Sequence, residues 1–267
     1  MPSNRLKIKL DELYDQYNRA EYIHPDPLEF LLAYPSIEDR EIVGLVASAL
    51  AYGHVSQILR SVAKVLDVMG SSPYTFTMNS TRSSLRKTFK NFVHRFATGD
   101  HVSDLLLGAK MVIQQHGSVN QCFSQALSGE NTNILSAMGF FVEEMLSWEN
   151  NPGHLVARPE KGSACKRMNL FLRWMIRKDR VDPGGWTDIP PSKLIIPLDI
   201  HMLRISQRLC FTEKKQANLN TALEITEKFR EICPEDPVKY DFTLTRFGIR
   251  ADLSAFAEDY GLVRPPQ

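Results

Sequence analysis

Apolar residues recur at helical spacing along nearly the whole chain, and no stretch alternates convincingly with period two. A chain patterned this way buries helix faces against helix faces and has little from which to build a sheet, so it predicts an all-α protein. Asp39 to Val68 reads as helices. The first of them is apolar almost all round (Ile42, Val43, Leu45, Val46, Ala49, Leu50) and therefore expected to be buried. Asn133 to Trp148 reads as another helix, broken by Glu149-Asn150-Asn151-Pro152-Gly153. Irregular chain is expected from there to about Gly162, and again from Asp182 to Pro191. Ala222, Ile225, Phe229 and Ile232 mark a helix that stops before Pro234. Asp236-Pro237 then reads as the N-cap and first residue of the next helix, with Gly248 just past its end.

At 267 residues the chain can bury a stable interior without disulfides. Its longest apolar stretch, Ile42 to Gly53, is about a dozen residues, against the roughly 20 that a spanning helix needs. Met1-Pro2-Ser3-Asn4-Arg5 leads into charged residues, with no apolar segment of the secretory type. Cys122, Cys165, Cys210 and Cys233 lie 43, 45 and 23 residues apart, which suits neither a disulfide framework nor an iron–sulfur run. The expectation is a cytoplasmic protein with reduced thiols. No two of the seven histidines are three to five residues apart, so no metal site is expected, and no sequence feature calls for a cofactor. His54, His94, His101, His116 and His154 read as surface or loop residues. Neither a Gly-rich phosphate loop nor a G-x-S-x-G elbow occurs.

The net charge is +1, but its distribution is uneven. Thr81 to Gly99 holds five cations (Arg82, Arg86, Lys87, Lys90, Arg95) and no acid. Arg158 to Arg208 holds eleven cations against five acids, leaving the remaining 197 residues at −10. Local basic excess in an otherwise acidic chain is the footprint of a phosphate-binding protein, although solvated faces produce such runs too.

Within the second window, Cys165 to Lys178 has a helical repeat that sets Ala164, Met168, Phe171, Leu172 and Met175 on one face. Lys166, Arg173 and Arg177 fall on the opposite face, within about 20° of one line. Guanidinium groups in a row suit successive phosphates; an amphipathic surface helix with cations in water would show the same pattern. Downstream, Leu194-Ile195-Ile196-Pro197-Leu198 delivers Asp199 to the start of a helix, His201 to Leu209. Asp is a preferred N-cap, so this position alone does not imply catalysis.

Asp199-Ile200-His201-Met202-Leu203-Arg204, followed by Arg208, resembles the Asp-x-His-x-x-Arg-x-x-x-Arg segment of the endonuclease III branch of helix-hairpin-helix DNA glycosylases. A broader resemblance runs through Lys166 to Met175, Pro191-Ser192-Lys193-Leu194 and Asp236 to Phe242. Those segments look like the signatures of an uncharacterised bacterial family catalogued as a domain of unknown function. The glycosylase resemblance implies two helical lobes, residues 39–196 forming one and residues 1–38 plus 197–267 the other, with a cleft between them. It also implies that Asp199 is the essential carboxylate. Lys166, 33 residues upstream, is similar in position to the lysine that archaeal 8-oxoguanine glycosylases carry well ahead of their Asp. Where the usual hairpin reads Leu-Pro-Gly-Val-Gly, this chain has Asp182-Pro183-Gly184-Gly185-Trp186, so the resemblance implies an altered or absent backbone phosphate clamp.

The implied function is a base-excision N-glycosylase acting on double-stranded DNA, with AP-lyase chemistry if Lys166 is a nucleophile. Arg167, Arg173, Arg177, Lys193, His201 and Arg204 are the candidate nucleic-acid contacts. Trp174, Trp186 and Tyr240 are the candidates for stacking on an extruded base, unless each is packing. The rival expectations are a DNA- or RNA-binding module of the same fold without catalysis, and a helical scaffold in which Asp199 is a cap.

Overall fold

A computed structural model describes residues 4–127, 129, 131–147 and 149–249. The chain is predominantly helical. It opens with α1 (Asn4–Tyr17) and two 3-10 segments (Ala20–Tyr22 and Pro27–Ala33), the second capped by the Asp26 carboxylate. Then come α2 (Ile37–Ala49), α3 (Val55–Met69), α4 (Pro73–Asn79) and α5 (Arg82–Thr88). A two-stranded hairpin, β1 (Val93–His94) and β2 (Ala97–Thr98), leads into α6 (Gly99–His116), α7 (Val119–Gln125) and α8 (Leu135–Leu146). The remaining helices are α9 (Lys166–Ile176), α10 (Ile200–Arg208), α11 (Leu219–Arg230) and α12 (Asp241–Ile249). Strands two residues long are too short to show alternation, so the hairpin left no trace in the apolar pattern.

The two innermost helices are α2 and α9. Every residue of α2 from Glu41 to Ala49 is buried, as its all-round apolar character requires. Gly44 lets α9 come close: a Cβ there would lie 3.0 Å from Cδ2 of Phe171. Glu41, buried on α2, accepts from the amides of Val119 and Asn120 and from Nε1 of Trp186, at 2.9–3.0 Å. It thereby satisfies the first N–H groups of α7.

The face of α9 turned away from α2 meets a second layer, which buries Arg173 and Arg177. Arg173 pairs with Asp182 and Asp241, and Arg177 with Asp179, Asp182 and Asp236; both arginines are buried. The helix ends at Ile176, and Arg177 has left it with an extended backbone. The expected row of three cations open to water or phosphate is therefore corrected at Arg173 and Arg177, while Lys166 remains partly exposed. A helix covered on both sides buries its charges with partners.

Residues 182–186 wrap the C-terminus of α9. Gly184 and Gly185 take φ of +63° and +137°. The amides of Gly184 and Trp186 donate to the carbonyls of Trp174 and Met175 at 3.0 and 2.9 Å. Helix boundaries also differ from the sequence expectation. Helix α12 starts at Asp241 because Asp236 is held by Arg177 and residues 236–240 run as tight turns. It continues past Gly248 to Ile249. Helix α8 ends at Leu146, and Trp148 lies outside the described residues. His94 is buried and the His116 side chain is 8% exposed, against the expectation of surface positions.

Candidate active site

The apolar lead-in fixes Asp199. Leu194, Ile195, Ile196 and Leu198 are all buried, and the Ile196 amide donates to Thr226 Oγ1 of α11 at 3.0 Å. The chain is thus anchored when it reaches Asp199, whose extended backbone makes it the N-cap of α10. Its Oδ1 accepts from the amides of His201 and Met202, both at 2.9 Å. The other oxygen, Oδ2, lies 3.0 Å from Nζ of Lys166, the first residue of α9. Cap and ion pair use different oxygens, so the two roles coexist.

Burial works to raise the Asp199 carboxyl, but Lys166, the Met202 amide and His201 together outweigh it and hold the group below the ordinary aspartate value. Asp199 is an anion. Lys166 is half-buried, with 35% of its side chain exposed.

This pair sits on the wall of a cavity of about 200 Å³ at the junction of α9, α10, α12 and the segment entering α3. Apolar lining comes from Ala51, Val55, Ile58, Leu170 and Pro197. The charged lining balances: Asp26, Asp199 and Asp241 face Lys166, Arg173 and Arg246. Arg246 pairs with Asp26 at 2.5 Å, and its guanidinium lies 4.6 Å from the centre of the Phe242 ring. Asp241 pairs with Arg173 through Oδ2, while its buried Oδ1 has no hydrogen-bond partner. Burial pushes the Asp241 carboxyl up to about 6, Arg173 opposes that rise, and the neighbouring Asp199 adds to it.

The structure gathers some of the residues named from the sequence and separates others. Lys166, Asp199, Arg173 and His201 line the cavity together. Arg167 turns away from it. Its guanidinium donates to the carbonyls of Ala49 and His154 and stacks 5.0 Å above the Tyr52 ring. Arg204 is exposed on α10 outside the lining. Lys193 is pinned to the Asn131 carbonyl, away from the cavity. Arg177 is locked among Asp179, Asp182 and Asp236.

The three stacking candidates are all packing residues. Trp174 is fully buried, Trp186 is held by Glu41, and the Tyr240 hydroxyl donates to Asp11 at 2.8 Å. Large aromatics follow the core when two layers are available to cover them.

Sequence reasoning missed Asp26, Tyr52, Gly53, Asp241 and Arg246 as parts of the cavity. For Asp241 a signal existed: an acid between Tyr240 and Phe242, in a run whose other members belong in a core. No group of three or more His, Cys, Asp or Glu among the described residues can hold a metal ion. Among the described residues no helix is long and apolar enough to cross a membrane.

A protein family described as "Protein of unknown function (DUF2400)" matches residues 26–250. No curated protein and no solved structure matches the chain.

Proposed function

The chain belongs to the DUF2400 family, and we propose that it binds double-stranded DNA and cleaves an N-glycosidic bond at the Lys166–Asp199 cavity. The observation that carries this reading is the ion pair at 3.0 Å on a cavity wall, with the carboxylate immobilised by two amides. At about 200 Å³ the cavity lies below the roughly 300–1,000 Å³ of drug-sized sites, a scale that suits one extruded ring-bearing group. The fold of this reading is that of the helix-hairpin-helix glycosylases. Residues 39–196 form one lobe, and residues 1–38 with 197–267 form the other. It is supported by α1 packing on the C-terminal part, where Asp11 accepts from Lys239 and Tyr240.

In this mechanism the bond from C1′ of the sugar to the base nitrogen breaks, and its electron pair leaves with the base. Positive charge grows on the sugar beside Asp199, which stabilises it. That charge competes with the Lys166 ammonium for the same carboxylate and loosens the lysine's proton. The neutral amine then attacks C1′, the proton it gave up ends on the departing base, and an imine follows that permits strand cleavage by elimination. Where Asp199 directs water to C1′ instead, the product is a free abasic site.

Two observations favour a second reading, a nucleic-acid-binding module without catalysis. Lys166 is held as an ion pair, and the amides of Gly184 and Trp186, in the segment that replaces the usual hairpin, are spent on helix carbonyls.

Borohydride trapping on abasic and damaged-base duplexes tests the proposal. The wild type should form a covalent adduct that Lys166→Gln abolishes, while Asp199→Asn removes base release. Absence of any wild-type adduct removes the lyase step. Absence of base release on every damaged duplex leaves the binding module.

A further inference from the structure

The basic window from Thr81 to Gly99 plays no part in the cavity chemistry, yet it carries the hairpin. Arg82 and Arg86 are neutralised by Asp104, with Asp100 also on Arg86. Among the described residues no ion pair holds Lys87, Lys90 or Arg95, and all three are exposed. The hairpin turns through Arg95-Phe96 between His94 and Ala97. Phe96 is 73% exposed and Val93 66%, the two most exposed large apolar side chains in the described protein.

Two features tie this tip to the cavity mouth. Arg95 lies against Gly53, where a Cβ would come within 2.7 Å of the Arg95 Cδ, and Gly53 lines the cavity. Tyr52, also a lining residue, donates its hydroxyl to the His94 carbonyl at 2.9 Å. The tip is therefore fixed beside the cavity. His154 lies 6.4 Å from the Phe96 ring. Burial and the nearby Arg167, His101 and His94 keep His154 below the usual histidine value.

Arg95 also holds φ of +53°, a left-handed conformation that glycine adopts freely and arginine does not. A cationic residue beside an exposed aromatic thus occupies a position where a glycine would turn the chain at lower cost. Arg95, held in no ion pair among the described residues, lies with its guanidinium 5.7 Å from the centre of the exposed Phe96 ring. An aromatic and a cation so placed are the combination that meets an unstacked base and its phosphate, the ring on the base face and the cation on the phosphate.

We propose that the hairpin tip enters nucleic acid beside the cavity, with Phe96 stacking on an unpaired base and Arg95 meeting the adjacent phosphate. This rests on the nucleic-acid reading above and names the element that makes the contact.

The test compares binding of the full chain to two duplexes at low and moderate salt, one intact and one carrying a tetrahydrofuran abasic-site analogue. The wild type should prefer the analogue duplex. Phe96→Ala should weaken that binding about ten- to hundredfold and erase the preference, as expected when one base–aromatic stack is lost. Phe96→Trp should keep the preference. Arg95→Gly should fold at least as well as the wild type, since it relieves the turn, yet lower the slope of log K against log[salt] by about one. Wild-type binding without preference, or a preference that survives in Phe96→Ala, overturns the hairpin proposal and leaves the cavity reading standing. Failure of the wild type to bind either duplex at low salt overturns both. Self-association of the wild type that Phe96→Ala abolishes, with DNA binding unchanged, would give the tip to a second copy of the chain and overturn the proposal.

Discussion

Asp199 does at one residue what is often divided between two. Its Oδ1 closes the N-terminus of α10 and its Oδ2 holds Lys166. Asn caps about as well as Asp, so Asp199→Asn should leave the thermal midpoint within a few degrees of the wild type, as circular dichroism would show. The pH dependence separates the two roles. The folded Asp199 carboxyl sits below its ordinary value of 3.8. Its charge therefore contributes stability that is fully present above the unfolded pKa and is lost as pH falls through the lower folded one. The difference in urea midpoint between wild type and Asp199→Asn should be constant from pH 7 to 5 and shrink below pH 4. A difference that does not move with pH would mean that the carboxylate charge adds nothing to folding.

At the scale of an element, α9 shows how a sequence pattern changes meaning when a second layer is added. A cation stripe opposite an apolar seam would face solvent on a surface helix, and here it faces Asp182, Asp236 and Asp241. Arg173→Ala would leave Asp241 buried without its cation and Asp182 with Arg177 alone, a loss of about 3–5 kcal/mol measurable by urea denaturation at pH 7. Because burial raises Asp241 in the fold, the folded state of that variant takes up its proton at higher pH than the unfolded chain does. Its stability should therefore recover as pH is lowered from 7 to 5. On the other face, Gly44→Leu would force a side chain into space occupied by Phe171, an overpacking cost of about 1–3 kcal/mol by the same measurement.

At the scale of the molecule, α1 is joined to the far end of the chain by contacts that no local signal announces. Asp11 meets Lys239 and Tyr240, Tyr14 donates to Asp179 at 2.9 Å, and Leu10, Leu13 and Tyr17 are buried. Three buried side chains at about 1.5–3 kcal/mol each approach the whole stability of an ordinary domain. Deleting residues 1–18 should thus give a chain that unfolds at much lower urea or is recovered as aggregate. A truncated chain with the wild-type midpoint would assign α1 no part in the core.

How much of this was legible depends on how far apart the deciding residues lie. Period and capping are local, so the helical class, the buried α2 and the delivery of Asp199 to a helix start could be read from residues within a turn or two of one another. Boundaries failed where a distant partner intervened: the Asp236 carboxylate is held by Arg177, and α12 begins at Asp241 instead of Pro237. Trp174, Trp186 and Tyr240 look alike in sequence as stackers or as core, and the layer that covers them decides. The same holds for charge. Net charge and basic windows are additive properties of composition, whereas the state of each cation depends on what comes within about 4 Å of it. Tertiary packing alone set Arg173 and Arg177 against carboxylates, left Arg95 and Phe96 in the open, and brought Lys166 within 3.0 Å of a carboxylate 33 residues away.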